Sequence, residues 1–179
     1  MKVITAIDDY NLKEGEISVF LAGGITNCPE WQDKVIELLK AKLDTDKLAV
    51  FNPRRKNFPI GNPSASYGQI KWEFKQLEKM DIFSMYFCGG DSDQPICMYE
   101  LGRNIVRMQN RFPADWRKRI VVSVEEGYKR REDVLVQTRL AAEEEDNIYL
   151  NSMKDPDLLL EHHAISIYRA YQYIEDRII

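Results

Sequence analysis

Short apolar runs alternate along this chain with segments whose apolar residues recur at helical spacing. No other feature of the sequence constrains the fold as much. Runs rich in β-forming residues occupy positions 17–22, 48–51, 81–87, 120–124 and, more briefly, 147–150. Apolar runs of this length are typical of buried strands. The segments between them carry apolar residues at helical spacing, and the last helix is predicted over about 156–178.

Strands that alternate with helices imply right-handed βαβ crossovers and a parallel sheet covered on both faces. We therefore expect a flavodoxin-like or Rossmann-like three-layer α/β/α fold with a parallel sheet of about five strands. Residues 1–179 fall in the size range of one domain. The polar stretch 54–68, which is rich in Pro, Gly, Ser and Asn, is predicted as a long loop that either serves a binding site or is disordered.

Charge and cysteine usage narrow the function classes. The 25 Lys and Arg against 29 Asp and Glu leave a net charge of -4, so no global positive field attracts a nucleic acid polymer. No stretch approaches the length needed to cross a bilayer, and three cysteines without a CxxC pair suit a reducing compartment. These features predict a cytoplasmic protein whose partner is a small molecule.

In parallel sheets, ligands bind at the carboxyl ends of the strands where the strand order reverses. The predicted strand ends bring together residues 22–24, 52–55, 89–95 and 125–131, a set rich in glycine, carboxylate and arginine. The sequence contains no dinucleotide or Walker fingerprint, no HExxH, no GxSxG and no metal-ligand spacing of His and Cys. Neither an organic cofactor nor a metal is therefore expected.

Two glutamates are candidates for chemistry at this edge. Glu100 lies about one turn into the helix after the third strand, where the helix dipole favours the ionised form that a nucleophile needs. Glu73 could protonate a leaving group if burial raised its pKa. The alternative for both is a glutamate on a solvated helix surface.

Three further positions are candidate binding residues. Gly23 and Gly24 follow the first predicted strand, where the absence of a side chain lets the backbone approach a ligand. Arg54 follows the second predicted strand and could bind a phosphate or carboxylate with both nitrogens of its guanidinium. A solvated loop arginine is the alternative there. His162 and His163 are adjacent on the last helix and point in different directions, so no shared metal site is expected.

The combination of these residues resembles the nucleoside 2-deoxyribosyltransferase family, including relatives that hydrolyse 2'-deoxynucleoside 5'-monophosphates. The resemblance covers roughly positions 17–142. It is carried by the run 19–25 (VFLAGGI), Trp72-Glu73 before Asp81-Ile82, the run 99–103 (YELGR), Gly127-Tyr128, and the runs 130–134 (RREDV) and 138–141 (TRLA). The tail 143–179 matches no part of the family pattern.

The resemblance implies that Glu100 is a nucleophile that attacks the anomeric carbon, displaces the base and leaves a deoxyribosyl ester, which another base or water resolves. By the same resemblance, Glu73 and its neighbour Trp72 bind the substrate, although the family keeps a different acidic residue, aspartate, at position 73. Gly23 and Gly24 correspond to the turn beside the sugar. Asp93 lies one position away from a second acidic residue of the family, which weakens that correspondence.

The family also implies an assembly, since its members commonly form dimers or higher oligomers with sites completed by a neighbouring chain. We therefore expect a homodimer or higher homo-oligomer, and the apolar stripe of the last helix packs either against the sheet or against a partner subunit. The sequence leaves transfer and hydrolysis both open. Arg54, Arg55, Arg130 and Arg131 are compatible with a phosphorylated substrate. Alternatives are a hydrolase of deoxynucleoside monophosphates or NAD, and a binding module for a nucleotide or ADP-ribose-like ligand that has lost turnover.

Overall fold

The computed structural model describes residues 1–59, 62–143 and 148–178, which form a six-stranded sheet and five α-helices. The strands are β1 (Lys2–Thr5), β2 (Ile17–Gly23), β3 (Leu48–Asn52), β4 (Ile82–Phe87), β5 (Ile120–Glu125) and β6 (Tyr149–Met153). The helices are α1 (Trp31–Lys42), α2 (Pro63–Leu77), α3 (Pro95–Arg111), α4 (Arg131–Ala141) and α5 (Pro156–Ile178). A short 3-10 turn, Trp116–Arg119, precedes β5.

The sheet has the order β1-β3-β2-β4-β5-β6, and every neighbouring pair is parallel. Two cores cover its faces: α2, α3 and α4 contribute to one and α1 and α5 to the other. This confirms the predicted three-layer α/β/α arrangement. β4 is buried along its whole length because it has a neighbouring strand on each side and helices above and below.

The sheet has six strands in the described residues, one more than the sequence predicted. The additional strand is β1, which pairs with β3 at the edge of the sheet, Val3 beside Val50. Only Ile4 of its four residues is buried, so the strand lacks the continuous apolar run that marks the central strands. An edge strand this short shows no clear pattern in sequence.

Two predicted boundaries were wrong. The last strand covers Tyr149–Met153 rather than 147–150, and position 147 lies outside the described residues. The predicted loop 54–68 ends earlier, since α2 already begins at Pro63. Asn62 caps that helix by accepting hydrogen bonds from the backbone N–H groups of Ser64 and Ala65. Asn followed by Pro is a helix-start signal, and it was hidden by the overall loop-like composition.

The apolar stripe of α5 packs inside the molecule. Leu160, Ala164, Ile167, Tyr171 and Ile174 are all buried in the core shared with α1. Of the two roles expected for this stripe, contact with the sheet is the one that the structure shows. No helix among the described residues is both long and apolar enough to span a bilayer.

The chain order creates a crevice between β2 and β4. From β2 the chain runs through α1 to β3 on one side, and from β3 it returns through α2 to β4 on the other side of β2. The carboxyl ends of β2 and β4 are therefore the place where the direction of winding changes. Ligands of doubly wound sheets bind in such crevices.

Candidate functional site

A cavity of about 460 Å³ lies at the carboxyl ends of β2 and β4, within the size range of small-molecule sites. The end of β2 and the following turn form one wall, and the turn after β4 with the start of α3 forms the other. The lining residues are Phe20, Ala22–Asn27, Pro53, Glu73, Asp91–Cys97 and Glu100. Five of the seven candidate site residues, Gly23, Gly24, Glu73, Asp93 and Glu100, are among them.

Glu100 and Glu73 reach the cavity from different helices. Glu100 lies on α3, one and a half turns after its first residue, and Glu73 lies on α2. Both side chains are partly buried and line the same space. The geometry therefore agrees with the reading in which both face the strand-end cleft, rather than with the alternative of solvated helix-surface glutamates.

The environment of Glu100 favours its neutral form. Burial raises the pKa of its carboxyl to about 7, the nearby Glu73 carboxylate adds to this, and Arg103 opposes it. The α3 dipole, from which the sequence predicts an ionised Glu100, favours the charged form. Desolvation and a second carboxylate outweigh that contribution at this position.

Glu73 is held by one hydrogen bond. The side-chain N–H of Gln69 donates to it over 2.9 Å, and the same amide donates to the Pro53 carbonyl over 2.9 Å. Burial raises the pKa of the Glu73 carboxyl, while the bond from Gln69 lowers it. The condition set for Glu73 as a proton donor, a pKa raised by burial, is therefore present.

The two glycines are needed by the packing of the protein itself. A Cβ at Gly23 would lie 2.3 Å from the Tyr86 carbonyl oxygen and 2.6 Å from the Trp31 ring, and Gly23 has a φ of +150°. A Cβ at Gly24 would lie 2.4 Å from the Cys28 sulfur. Both residues line the cavity, but their close approach is to neighbouring side chains and backbone of the chain.

The turn after β4 is held in place by Gln94, which the sequence analysis did not single out. Its side chain accepts a hydrogen bond from the Cys88 N–H and donates to the Cys88 carbonyl, and its backbone is left-handed with a φ of 46°. Ser92 donates to the Thr26 carbonyl and so ties this turn to the one after β2. The only sequence signal was the place of Gln94 in the predicted strand-end turn.

Arg54 and Trp72 support the walls of the cavity from outside its lining. The Arg54 guanidinium donates to Gln32 and to the carbonyls of Ile25, Cys28 and Pro29, at 2.7–3.2 Å. It therefore fixes the turn after β2 instead of facing the cavity. Trp72 is buried, donates to the Asp8 carbonyl over 2.8 Å and packs against Phe20, which lines the cavity.

Acidic side chains complete the rim. Asp93 forms an ion pair of 3.2 Å with Lys129, and Lys129 also donates to the Asp91 carbonyl. Among the described residues the Asp91 carboxylate has no ion-pair partner, and no group of three or more His, Cys, Asp or Glu is arranged to hold a metal ion. The cavity thus combines carboxylates, backbone and apolar surface.

Comparison with models of known protein families gives a match over more than half of the chain. The family model described as Nucleoside 2-deoxyribosyltransferase like matches residues 16–114, which is 99 of 179 residues. The match includes every residue that lines the cavity and ends before β5, so it covers less than the resemblance inferred from sequence, which reached position 142. No curated protein sequence matches the chain.

Proposed function

The chain belongs to the nucleoside 2-deoxyribosyltransferase-like family, and from this premise we propose that it cleaves or exchanges the N-glycosidic bond of a nucleoside-like substrate. One observation carries the proposal: Glu100 and Glu73 approach one cavity from two helices, burial raises the pKa of both carboxyls, and the Glu73 carboxylate raises that of Glu100 further. Two interacting carboxyls divide their protons between them, so one can be ionised while the other stays protonated. Glycosidic chemistry needs this combination.

In the first step, a Glu100 carboxylate oxygen forms a bond to the anomeric carbon of the sugar. The bond from that carbon to the base nitrogen breaks, and its electron pair goes to the base. Glu73 supplies a proton to the leaving base. The result is a glycosyl ester on Glu100, with positive charge on the sugar stabilised by the carboxylate in the transition state.

In the second step, an acceptor resolves the ester. Glu73, now ionised, takes a proton from water or from an incoming base, and the acceptor attacks the anomeric carbon and releases Glu100. Water gives hydrolysis and a second base gives transfer. Glu100 and Glu73 have the same roles in hydrolysis and in transfer. Which of the two reactions occurs therefore depends on whether the cavity holds water or a second base as acceptor.

The buried position of the pair suits it to this cycle. Burial raises the pKa of the Glu73 carboxyl, so it holds a proton for the leaving base to a higher pH than an ordinary glutamate does. When substrate fills the cavity and displaces water, the attraction between the Glu100 carboxylate and the developing sugar cation strengthens. A homodimer or higher homo-oligomer stays a prediction from the family resemblance.

Product analysis tests the proposal. Purified protein is incubated with deoxynucleosides and their 5'-monophosphates, with and without an acceptor base, and free and exchanged bases are quantified by liquid chromatography. We expect Glu100→Gln to lose about 10³-fold or more of the activity, because the amide cannot act as nucleophile. Glu161→Gln, which replaces an exposed glutamate on α5, serves as control and keeps wild-type activity.

Two results would count against this mechanism. Full activity of a folded Glu100→Gln protein would remove Glu100 from the role of nucleophile. No release of base from any substrate by the folded wild type would favour the binding-module alternative. In the positive case, acid-quenched mass spectrometry with substrate should show Glu100 carrying one added deoxyribosyl group.

A further inference from the structure

Two cysteines, Cys28 and Cys88, face each other next to the cavity but outside its lining. Cys28 lies in the turn after β2, and Cys88 directly follows β4. Because these strands are parallel neighbours, their carboxyl ends lie side by side, with Gly23 beside Tyr86. The two free thiols hydrogen-bond each other. Cys88 belongs to the core under α1 and α5, and Cys28 packs against the same core.

The surroundings of Cys28 hold it in this position. The Arg54 guanidinium donates to its carbonyl over 3.2 Å. Its sulfur lies 2.4 Å from the point at which a Cβ on Gly24 would stand, and the side-chain oxygen of Gln94 lies 2.4 Å from the same point. That oxygen accepts the hydrogen bond of the Cys88 N–H over 3.2 Å. The packing around Gly24 therefore keeps the Cys28 sulfur close to the groups that surround Cys88.

The two thiols differ in their access to solvent and in their protonation. Cys28 is partly exposed, whereas Cys88 is fully buried. The hydrogen bond from the Cys88 thiol lowers the pKa of Cys28 to about 7, and Ser92 and Arg54 also lower it, against the effects of burial and of Glu125. The same hydrogen bond, together with burial, raises the pKa of Cys88. At neutral pH a large part of Cys28 is therefore thiolate, and Cys88 keeps its proton.

These are the properties of a thiol pair that reacts with peroxide. Such a pair combines an accessible thiolate, which is oxidised first, with a second thiol that resolves the product. The third cysteine, Cys97, provides an internal contrast. It is buried on α3, and burial raises the pKa of its thiol to about 12. Cys97 should therefore react slowly.

We propose that Cys28 and Cys88 form a modification site, at which hydrogen peroxide produces a disulfide and a dithiol reductant reverses it. First, the Cys28 sulfur attacks one oxygen of the peroxide and the O–O bond breaks. Cys28 becomes a sulfenic acid, and the hydroxide that leaves takes up the proton that Cys28 released and becomes water. Next, the Cys88 sulfur attacks the sulfenic sulfur and the S–O bond breaks. The departing hydroxide takes the Cys88 proton as a second water, so the two sulfurs have given two electrons to the peroxide.

The disulfide would connect two segments that shape the cavity. The turn after β2 forms one wall, and Cys88 leads from β4 into the turn that forms the other. A disulfide in a reducing compartment is usually transient or redox-sensing rather than structural. The position of the pair therefore suits a reversible cross-link between the two walls.

Thiol mapping tests the proposal. Reduced protein is treated with a small molar excess of hydrogen peroxide, unfolded with maleimide present, and digested without reductant by trypsin and an Asp-specific protease. The second protease is needed because Asp91 and Asp93, but no Lys or Arg, lie between Cys88 and Cys97. We expect a peptide pair that joins Cys28 to Cys88, with maleimide on Cys97 alone. After treatment with dithiothreitol, all three cysteines should carry maleimide.

Variants assign the two roles. Cys88→Ala removes the resolving thiol, so oxidation of Cys28 should stop at the sulfenic acid, which dimedone traps. Cys28→Ser removes the accessible thiolate, so the Cys88 thiol should be lost at least about tenfold more slowly than in the wild type. Cys97→Ser is the matched control and should form the disulfide at the wild-type rate. Circular dichroism checks that each variant is folded, and the wild-type map decides by itself where a variant is not.

Three results would overturn the proposal: three free thiols in the peroxide-treated wild type, a cross-link that uses Cys97 or joins two chains, or an undiminished loss of the Cys88 thiol in Cys28→Ser. Alkylation of the folded protein gives an independent check. Cys28 should react with iodoacetamide at least about tenfold faster than Cys97, and equal rates would also contradict the proposal. None of these measurements requires turnover, so their outcome is independent of the proposed function.

Discussion

His163 and Glu100 are buried or partly buried titratable side chains on opposite faces of one sheet, and they differ in their hydrogen-bond partners. His163 lies on α5, has no exposed surface, and has a serine hydroxyl 2.7 Å from each ring nitrogen, Ser84 on one side and Ser123 on the other. Glu100 lines the cavity on the α3 side, and no described residue hydrogen-bonds its carboxyl. Only His163 therefore has a hydrogen-bond partner for each of its polar side-chain atoms.

Burial favours the neutral form of both groups. It lowers the pKa of His163 to about 3 and raises the pKa of Glu100 to about 7. Polar groups with all partners in place rigidify a core, whereas one without partners lowers stability and is available to a ligand. We infer that His163 stabilises the fold, and the unpartnered carboxyl of Glu100 is consistent with the chemistry proposed for the cavity.

The two groups also make stability depend on pH with opposite sign. The folded pKa of His163 lies below its unfolded value of about 6.5, so the unfolded chain binds the extra proton and stability is lost as pH falls from 6.5 toward 3. The folded pKa of Glu100 lies above its unfolded value of 4.5, so stability is gained as pH falls from 7 toward 4.5.

The largest stability effect is expected at His163. Replacing it by leucine roughly keeps the volume but removes the partner of the buried Ser84 hydroxyl and leaves Ser123 with only the hydrogen bond from Asn151. This should cost about 2–4 kcal/mol of the free energy of unfolding. Urea unfolding at pH 7.5 measures this as a lower midpoint. His162→Leu, on the same helix and only half-buried, should change the free energy by less than about 0.5 kcal/mol.

The same pair of variants isolates the pH effect of the buried histidine. Between pH 7.5 and pH 5, His163 alone should cost the wild type about 2 kcal/mol, because the unfolded imidazole becomes protonated and the folded one does not. This loss should be absent in His163→Leu and present in His162→Leu. Equal pH slopes in both variants would show that His163 is not held neutral.

Glu100→Gln should have the opposite effect on stability. Removing a desolvated carboxylate next to Glu73 is expected to raise the melting temperature at pH 8 by about 2–4 °C, a shift of about 1 kcal/mol that is kept small because the carboxyl is partly exposed to solvent. At pH 5, where the wild-type carboxyl is protonated in the folded state, the gain should disappear. A destabilised variant at pH 8 would show that Glu100 supports the fold.

The central fold could be predicted because the strands next to the crevice are buried on both faces and read as continuous apolar runs. β2 and β4 are of this kind. β1 escaped detection because an edge strand with one buried residue carries no such run. The start of α2 was missed because Asn62 and Pro63, a cap and a first helical residue, have the same composition as a loop.

The site could be predicted from sequence where chemically reactive residues lie close to the carboxyl ends of the predicted strands. Glu100 and Glu73 stand where the parallel topology brings them to one cavity. Arg54 shows what the sequence cannot predict. A guanidinium after a strand is compatible with an anion site, but in the structure it donates hydrogen bonds to three backbone carbonyls of the turn 25–29. Gln94 hydrogen-bonds to Cys88 within one turn, and Gln69 joins Glu73 to Pro53. The apolar periodicity that predicts strands and helices carries no information on such side-chain hydrogen bonds.

The smallest expected effect concerns Gln69, whose amide is the one hydrogen-bond partner of Glu73 in the described structure. Gln69→Leu removes a bond that favours the ionised carboxylate, so the pKa of Glu73 should rise further above its ordinary value. Carboxyl-carbon NMR titration of the glutamate side chains measures this, with Gln137→Leu, an exposed position on α4, as control. An unchanged or lower midpoint would mean that burial alone sets the protonation of Glu73. A higher midpoint would show that the single hydrogen bond from Gln69 holds down the pKa of Glu73. Glu73 would then have part of the hydrogen bonding that His163 has on both of its ring nitrogens.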